Sequence, residues 1–182
     1  MINDFPSDLV VRRPTAKDHA RVLSVLDRWW GGLGGEDGAK ERALLLPRLF
    51  FQHFNTTSYL AERPDGDLAA FLIGFLSQSD PEVAYIHFVG VDPFLRGRGI
   101  ATALYRGFFD QARVHGRRRV HCITSPGNTT SQSFHRRLGF DLLPGEQDAG
   151  DLPVHPDYDG PGIDRVVFAL DLAHRPPDRR SR

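Results

Sequence analysis

The chain has 182 residues, which suits one domain with a substantial core and would make two full domains cramped. Hydrophobic residues make up 40% of the sequence, which excludes a disordered chain. The 23 basic and 23 acidic residues cancel, which argues against nucleic-acid binding through a bulk positive field. Cys122 is the only cysteine, so an intramolecular disulfide is excluded, and its apolar strand context predicts a packed core thiol.

The N-terminus and the hydropathy pattern predict a cytoplasmic protein. Residues 1–9 contain two acidic side chains and no long apolar core, so they do not resemble a secretory signal. No segment approaches the ~18 apolar residues that a membrane-spanning helix requires. We therefore expect no membrane partner and no nucleic-acid partner.

The first third of the chain has mainly helical periodicity. Thr15 is a candidate N-cap, and Pro47 is expected to bend or interrupt the later helical segment. The glycine-rich stretch is interpreted as a flexible connection, with a mobile lid as the alternative. In chain order, the predicted elements are a strand over 9–12, a helix over 16–30, the glycine-rich stretch over 31–38 and helical residues over 39–54.

From residue 58 the pattern changes to alternating strands and helices. The predicted elements are a hairpin over 59–62 and 68–76, a strand over 83–91, a helix over 101–115, a strand over 120–124, a helix over 131–138, and strands over 140–143 and 163–172. This order predicts one α/β domain over residues 1–172, with a mixed, largely antiparallel sheet and helices on both faces. Residues 173–182 are expected to form a disordered basic tail.

The most informative segment runs from the strand at Val89 into the helix that begins near Ala101. A helix N-terminus offers unpaired N–H groups and the positive end of the helix dipole, and both favour a pyrophosphate. Glycines allow the backbone to approach the anion, and arginines add charge. The predicted cradle comprises Arg96, Gly97, Arg98, Gly99, Ile100 and Ala101. The alternative is a tight turn with two solvated arginines.

This segment resembles motif A of the GNAT superfamily of acyl-CoA N-acyltransferases, whose core pattern is Arg/Gln-x-x-Gly-x-Gly/Ala. Arg96, Gly99 and Ala101 match that pattern, and Val89 and Val91 resemble the strand whose backbone holds the pantetheine arm. The resemblance covers roughly residues 9–172. It implies acetyl-CoA as co-substrate and no metal.

A second block resembles motif B of the same family, Asn-x-x-Ala/Ser-x-x-x-Tyr followed by Gly-Phe. Asn128, Ser131 and Gly139-Phe140 match it, whereas His135 stands where the family usually has tyrosine. This variant is similar to the phosphinothricin acetyltransferase group. The resemblance adds Asn128 and Ser131 to the expected cofactor contacts and makes His135 the candidate acid for the departing thiolate; the alternative is a packed or solvated histidine.

The resemblance implies direct attack of an amine on the thioester, which requires a base. His87 is the candidate, alone or through water, and Tyr85 occupies about the position where some members carry a glutamate. Strand alternation predicts that both side chains share a face with Val89 and Val91. Packing beneath the helix at 101–115 is the alternative.

The segment from Glu146 to Asp164 contains six acidic residues and no lysine or arginine. In the family this region often lines the acceptor site, so Asp157 and Asp159 are candidate contacts for a cationic amine. A solvated loop rich in turn-forming residues explains the same composition. Neither this loop nor the histidines show convincing metal-ligand spacing.

The predicted function is acetyl transfer from acetyl-CoA to a primary amine of a small molecule or peptide. The alternative is a catalytically inactive acyl-CoA sensor or regulatory module. A serine hydrolase is disfavoured because the Gly-x-Ser-x-Gly motif is absent from the sequence. A homodimer remains open.

Overall fold

The computed structural model describes residues 2, 5–31, 35–149 and 152–173. Within these residues, the strands are β1 Val10–Arg12, β2 Tyr59–Glu62, β3 Leu68–Leu76, β4 Val83–Val91, β5 Arg119–Thr124, β6 Asp141–Leu142, β7 Gln147–Ala149, β8 Leu152–Val154 and β9 Val166–Asp171. The helices are α1 Asp18–Trp29, α2 Gly35–Leu44, α3 Leu49–Gln52, α4 Ile100–Val114 and α5 Thr129–Leu138.

Seven of the described strands form one sheet in the spatial order β1-β2-β3-β4-β5-β9-β6, and β7 and β8 form a separate hairpin. Every neighbouring pair in the large sheet is antiparallel except β4 and β5. Those two strands are parallel and pair only from Val83–Tyr85 to Arg119–His121. Beyond Tyr85 they part, which opens the middle of the sheet. The predicted mixed, largely antiparallel sheet is confirmed.

Helices pack against both faces of the sheet, each through its own hydrophobic core. On one face, Leu104 and Phe108 of α4 pack with Leu72 and Ile86 of the sheet. On the other face, Val22 and Trp29 of α1 and Phe51 of α3 pack with Phe71 and Ile73. The amphipathic spacing of α1 and α4 explains why each helix buries one side. Helices on both faces are therefore confirmed, and Cys122 is a buried core thiol as predicted.

A β-bulge in β4 contradicts the simple alternation expected from the sequence. Ile73 pairs with Phe88, and the next residue, Gly74, pairs with Ile86, so His87 is an extra residue in β4. Phe88 consequently packs with the α1 core, whereas Val89 packs with the α4 core.

The expectation that Tyr85 and His87 share a face with Val89 and Val91 was therefore wrong. The rings of Tyr85 and His87 lie on the α1 face, where His87 contacts Phe50 and Phe88. Val89 and Val91 face α4. Packing of Tyr85 and His87 beneath α4 is excluded for the same reason.

Two other segments differ from their predicted structure. Residues 35–38 of the glycine-rich stretch begin α2, and residues 32–34 lie outside the described part of the chain. The loop expected over 146–164 contains the β7–β8 hairpin. The interruption at Pro47 is confirmed, since α2 ends at Leu44 and α3 begins at Leu49. The predicted tail lies, from residue 174 onward, outside the described residues.

Candidate functional site

A cleft of about 370 Å³ lies at the N-terminus of α4. Its lining comprises Val91, Leu95, Arg96, Gly97, Gly99, Ile100, Ala101, Thr102, Phe134 and Arg137. Six of the predicted cofactor residues therefore come together here: Val91, Arg96, Gly97, Gly99, Ile100 and Ala101. The described lining does not include Val89, Arg98, Asn128 or Ser131.

Two glycines shape the floor of this cleft. Gly97 and Gly99 have φ angles of +81° and +77°, in the left-handed region that side chains disfavour. A Cβ added to either would meet no atom within 4 Å, so the space beside the backbone is open. The first intrahelical bond runs from the Ala103 N–H to the Gly99 carbonyl, which leaves the N–H groups of residues 100–102 without helical partners. This arrangement fits an anion.

The arginines of the cradle have protein partners. Arg96 donates from Nη2 to the Trp29 carbonyl at 2.8 Å, which joins the cradle to the end of α1. Arg98 forms an ion pair with Asp8 at 2.7 Å on the surface. Arg137 of α5 lines the cleft and was missed from the sequence. Its spacing of three residues from Phe134, another lining residue, is the helical signal that could have indicated it.

The peptide groups of Val89 and Val91 face the gap between β4 and β5. The Asp92 N–H donates to the carbonyl of Ala69, the second residue of β3. Peptide groups in a strand alternate in direction, so those of residues 90 and 92 point toward β3 and those of 89 and 91 point away from it. β5 does not pair with this part of β4, so these groups face an open gap, where the Val91 carbonyl accepts one long hydrogen bond from Arg96 Nε at 3.4 Å.

The motif B residues form a chain of contacts from the surface into the core. Asn128 caps α5 by accepting from the Ser131 N–H at 3.0 Å. Ser131 Oγ lies 3.4 Å from His135 Nδ1, and His135 Nε2 lies 2.9 Å from the Tyr105 hydroxyl. The His135 side chain is enclosed by the rings of Tyr105, Phe134, Phe140 and Phe168.

His135 is therefore a buried histidine, with a residue exposure of 4%. Burial lowers its pKa to about 4, so the ring is neutral at neutral pH. Burial also raises the pKa of Tyr105 far above 10, which keeps its hydroxyl proton in place. When the Tyr105 O–H donates to Nε2, the neutral ring carries its own proton on Nδ1, facing Ser131.

His87 is surrounded by half-buried aromatic rings. Phe50 stacks on its ring at 4.3 Å, and the rings of Phe54, Phe75 and Tyr85 continue the surface. We call Phe50, Phe54, Phe75, Tyr85 and His87 the aromatic shelf.

The tautomer of His87 follows from one contact of the aromatic shelf. His87 Nε2 contacts the Leu45 carbonyl, which can only accept, so Nε2 carries the proton and Nδ1 has the lone pair in the neutral ring. Burial lowers the pKa of His87, while the Leu45 hydrogen bond and the charge of Asp159 oppose that shift. Burial is the main cause that raises the pKa of Tyr85, and the nearby Tyr158 adds to the increase. Tyr85 is therefore a neutral hydroxyl at neutral pH and cannot substitute for a carboxylate base.

The acidic residues of the C-terminal loop are used within the loop. Asp157 accepts from the Gly162 N–H, and its own N–H donates to Asp164. Asp159 forms an ion pair with Arg165 at 2.7 Å. Arg165 is the residue immediately after the acid-rich stretch, so the predicted acidic wall carries a compensating positive charge at its end.

No group of three or more His, Cys, Asp or Glu side chains suited to a metal ion occurs in the described ranges. Among the helices of residues 5–31, 35–149 and 152–173, none has the length and apolar character to cross a membrane.

Comparison with known families identifies the class of protein that this fold and cleft define. The family model described as the acetyltransferase (GNAT) family matches residues 22–140. The chain therefore belongs to the GNAT acetyltransferase family. The specific likeness to the phosphinothricin group depends on His135 and remains a prediction.

Individual relatives agree with this family. The chain is 33% identical over 117 residues to the L-2,4-diaminobutyric acid acetyltransferase of Nocardia farcinica, and the match spans 62% of this chain but only 59% of that relative's length. A GNAT-family structure from Desulfovibrio desulfuricans has the same fold, with a TM-score of 0.70 at 18% identity over 90% of this chain and 99% of the other.

A further structure was solved with two ligands. It is the diaminobutyrate acetyltransferase of Paenibacillus lautus in complex with L-2,4-diaminobutyric acid and coenzyme A. The two chains align with a TM-score of 0.63 at 25% identity, over 94% of this chain and 99% of that chain.

The burial of His135 predicts a specific pH dependence of stability. Its folded pKa of about 4 lies below the ordinary 6.5, so the unfolded chain binds a proton that the folded chain does not between these values. The free energy of unfolding should therefore fall as pH decreases from 6.5 toward 4, with a contribution of up to about 1.4 kcal/mol per pH unit. His135→Phe should show a shallower decrease by urea denaturation, and equal slopes would contradict a neutral buried histidine.

Proposed function

We propose that this protein transfers the acetyl group of acetyl-CoA to a primary amine of a small molecule by direct attack. The observation that carries the proposal is the anion cradle at the N-terminus of α4, placed beside the gap between β4 and β5. The family and the relatives that acetylate diaminobutyrate support a small amine acceptor.

The described residues suit each part of coenzyme A. The unpaired N–H groups at the start of α4 would hold the pyrophosphate, with charge from Arg96, Arg98 and Arg137. The peptide groups of Val89 and Val91 would pair with the amides of the pantetheine arm. The thioester would then lie beside the bulge at His87, between the two faces of the sheet.

Glycine substitutions at the two ends of α4 test the cradle. Gly99→Val should weaken CoA binding by about tenfold or more, because the side chain enters the open space and displaces the N–H groups. The measurement is calorimetric affinity, together with the increase in melting temperature that saturating CoA produces.

Gly116→Val is the matched control for this experiment. Gly116 follows α4, has a φ of +72° and also has open space around its Cβ position, so the substitution imposes similar backbone strain far from the cradle. It should lower stability but leave CoA affinity unchanged. Equal losses of affinity in both variants would show that strain, and not the cradle, is responsible.

His87 is the base in this proposal. Its Nε2 proton is held by the Leu45 carbonyl, which leaves Nδ1 to accept a proton from the acceptor ammonium. Because burial lowers its pKa, the ring is ready to accept at neutral pH. Tyr85, with its neutral hydroxyl, would orient the acceptor beside it.

The pH profile of kcat/KM tests this assignment. The wild-type rate should fall on acidification through a value below 6.5, the ordinary pKa of histidine, as His87 becomes protonated. His87→Gln keeps an N–H donor for Leu45 but has no base, so it should lose this acidic limb and about 10²-fold in rate. His115→Gln, at the exposed end of α4, should behave as wild type. If His87→Gln retains the limb, the base lies elsewhere, and His121, opposite Tyr85, is the next residue to test.

His135 would stabilise the departing thiolate through Ser131. The buried ring cannot be a protonated acid at neutral pH, but an Nδ1–H, which also has the Ser131 backbone as a partner, can donate to Ser131 Oγ. That bond leaves the serine hydroxyl proton free to donate to the developing thiolate. In this role His135 is a positioning residue, and Ser131 makes the contact with coenzyme A.

Serine substitutions on α5 separate this role from packing. Ser131→Ala should lower kcat at saturating acetyl-CoA by about tenfold or more, with little loss of CoA affinity. His135→Phe should have a similar effect, and the double variant should be no slower than either single one, because both act through one contact. Ser133→Ala, exposed on the same helix, is the control. Wild-type turnover by Ser131→Ala would exclude this route.

A further inference from the structure

The ion pair between Asp159 and Arg165 has unused hydrogen-bonding capacity. Arg165 donates from Nε to Asp159 Oδ2 at 2.7 Å and from Nη1 to the Asp164 carbonyl at 3.2 Å. Within the described residues, no hydrogen bond involves Arg165 Nη2 or Asp159 Oδ1. A guanidinium has five donors and a carboxylate has about four acceptor sites, so each partner can bind a further group without breaking the pair.

The backbone holds Arg165 at the start of β9. His155 and Arg165 exchange backbone hydrogen bonds in both directions, at 2.8 and 3.0 Å. Their positions therefore do not depend on the side-chain ion pair alone. The side chain of Arg165 is 16% exposed and that of Asp159 is 31% exposed, so the pair is partly shielded but accessible.

The register of the sheet places Arg165 on the face that carries the proposed base. Val166 and Phe168 of β9 pack in the α4 core, so the residues of opposite parity, 165 and 167, face the other way. Tyr85 and His87 lie on that same face. The connection runs through β5, because Tyr85 pairs with His121 and His121 pairs with Ala169 of β9. The pair thus lies across the gap from the aromatic shelf.

We propose that the acceptor is a diamino acid, whose α-carboxylate binds Arg165, whose α-ammonium binds Asp159, and whose side-chain amine reaches His87. This inference rests on the proposed function and names its substrate class. The α-ammonium stays at Asp159, so the acetylated nitrogen is the second one. His87 takes one proton from the side-chain ammonium, and the neutral amine attacks the thioester carbonyl. The carbon–sulfur bond breaks as the amide bond forms, and the second proton of the amine leaves with the thiolate as the CoA thiol.

Charge balance favours a zwitterionic head group over an acceptor with positive charges alone, such as the cationic amine that the acid-rich sequence suggested. A polycation would place a positive charge against Arg165, whereas a head group with both charges complements both partners. The apolar methylenes of a diamino acid can pack against the aromatic shelf. The charges of Asp159 and Arg165 also act on Tyr85, which agrees with their proximity to the reacting centre.

Paired substrates with and without the carboxylate test this inference. L-2,4-diaminobutyrate is compared with 1,3-diaminopropane, and ornithine with putrescine, by thiol release from acetyl-CoA. In each pair the second compound is the decarboxylated first. The wild-type kcat/KM should favour the amino acid by about tenfold or more, since hydrogen bonds between charged groups are worth that much.

Arg165→Gln should abolish the preference for the amino acid, and Arg165→Lys should restore part of it. The ratio within one variant is the informative quantity, because a folding defect lowers both rates together. Arg118→Gln is the matched control, because Arg118 also pairs with an acidic residue, Glu82. Arg118 directly precedes β5, whereas Arg165 lies beside the other end of that strand, where Thr124 pairs with Val166. It should retain the wild-type ratio.

The outcomes distinguish this inference from the proposed function. Turnover of diamines and amino acids at equal rates, or a preference that survives in Arg165→Gln, overturns the inference and leaves acetyl transfer intact. If no amine turns over, calorimetry on the CoA-loaded protein decides. Selective binding of the diamino acid would then support the inference and reject catalysis, whereas absence of such binding would reject both.

Discussion

Strands β4 and β5 pair over three residues and then part, and the rest of the site depends on that gap. An unbroken ladder would use the outward peptide groups of Val89 and Val91 within the sheet. Because the strands diverge, those groups face the gap beside the start of α4 instead of a neighbouring strand. The same gap connects the two faces of the sheet. In the proposed function, an extended ligand holds its anion on the α4 side and presents its reactive end on the α1 side.

The α4 side and the α1 side of the gap present different chemical groups, and neighbouring residues explain the difference on each side. At α4, unpaired N–H groups, left-handed glycines and Arg137 favour an anion. On the α1 side, the bulge at His87 leaves the imidazole, a member of the aromatic shelf, on the face opposite to Val89 and Val91. His135 lies among the rings of the α4 core, where burial keeps it neutral, and Ser131 Oγ lies 3.4 Å from its Nδ1.

Much of this arrangement follows from local sequence signals. Glycines before an amphipathic segment predict the α4 cradle, because the turn and the helix start are determined by neighbouring residues. The bulge at His87 could not be predicted, because it depends on the register of β3 against β4. The burial of His135 was equally hidden, since the rings that enclose it come from α4, α5, β9 and the Gly-Phe turn. The sequence shows an acid-rich stretch that ends at Asp164, and Arg165 follows it. Only the folded loop shows that the positive charge of Arg165 is paired with Asp159.

The most direct test of the account is the response of backbone amides to CoA in ¹⁵N-labelled protein, followed by NMR. The amides of Gly97, Gly99, Ile100 and Ala101 should shift markedly, and those of Val89 and Val91 should shift with the pantetheine arm present. Adenosine 3′,5′-bisphosphate, which lacks that arm, should leave the Val89 and Val91 amides unperturbed. Shifts confined to other surfaces, with the amides of residues 97–101 unchanged by CoA, would contradict the claim that the gap and the α4 cradle form one binding path.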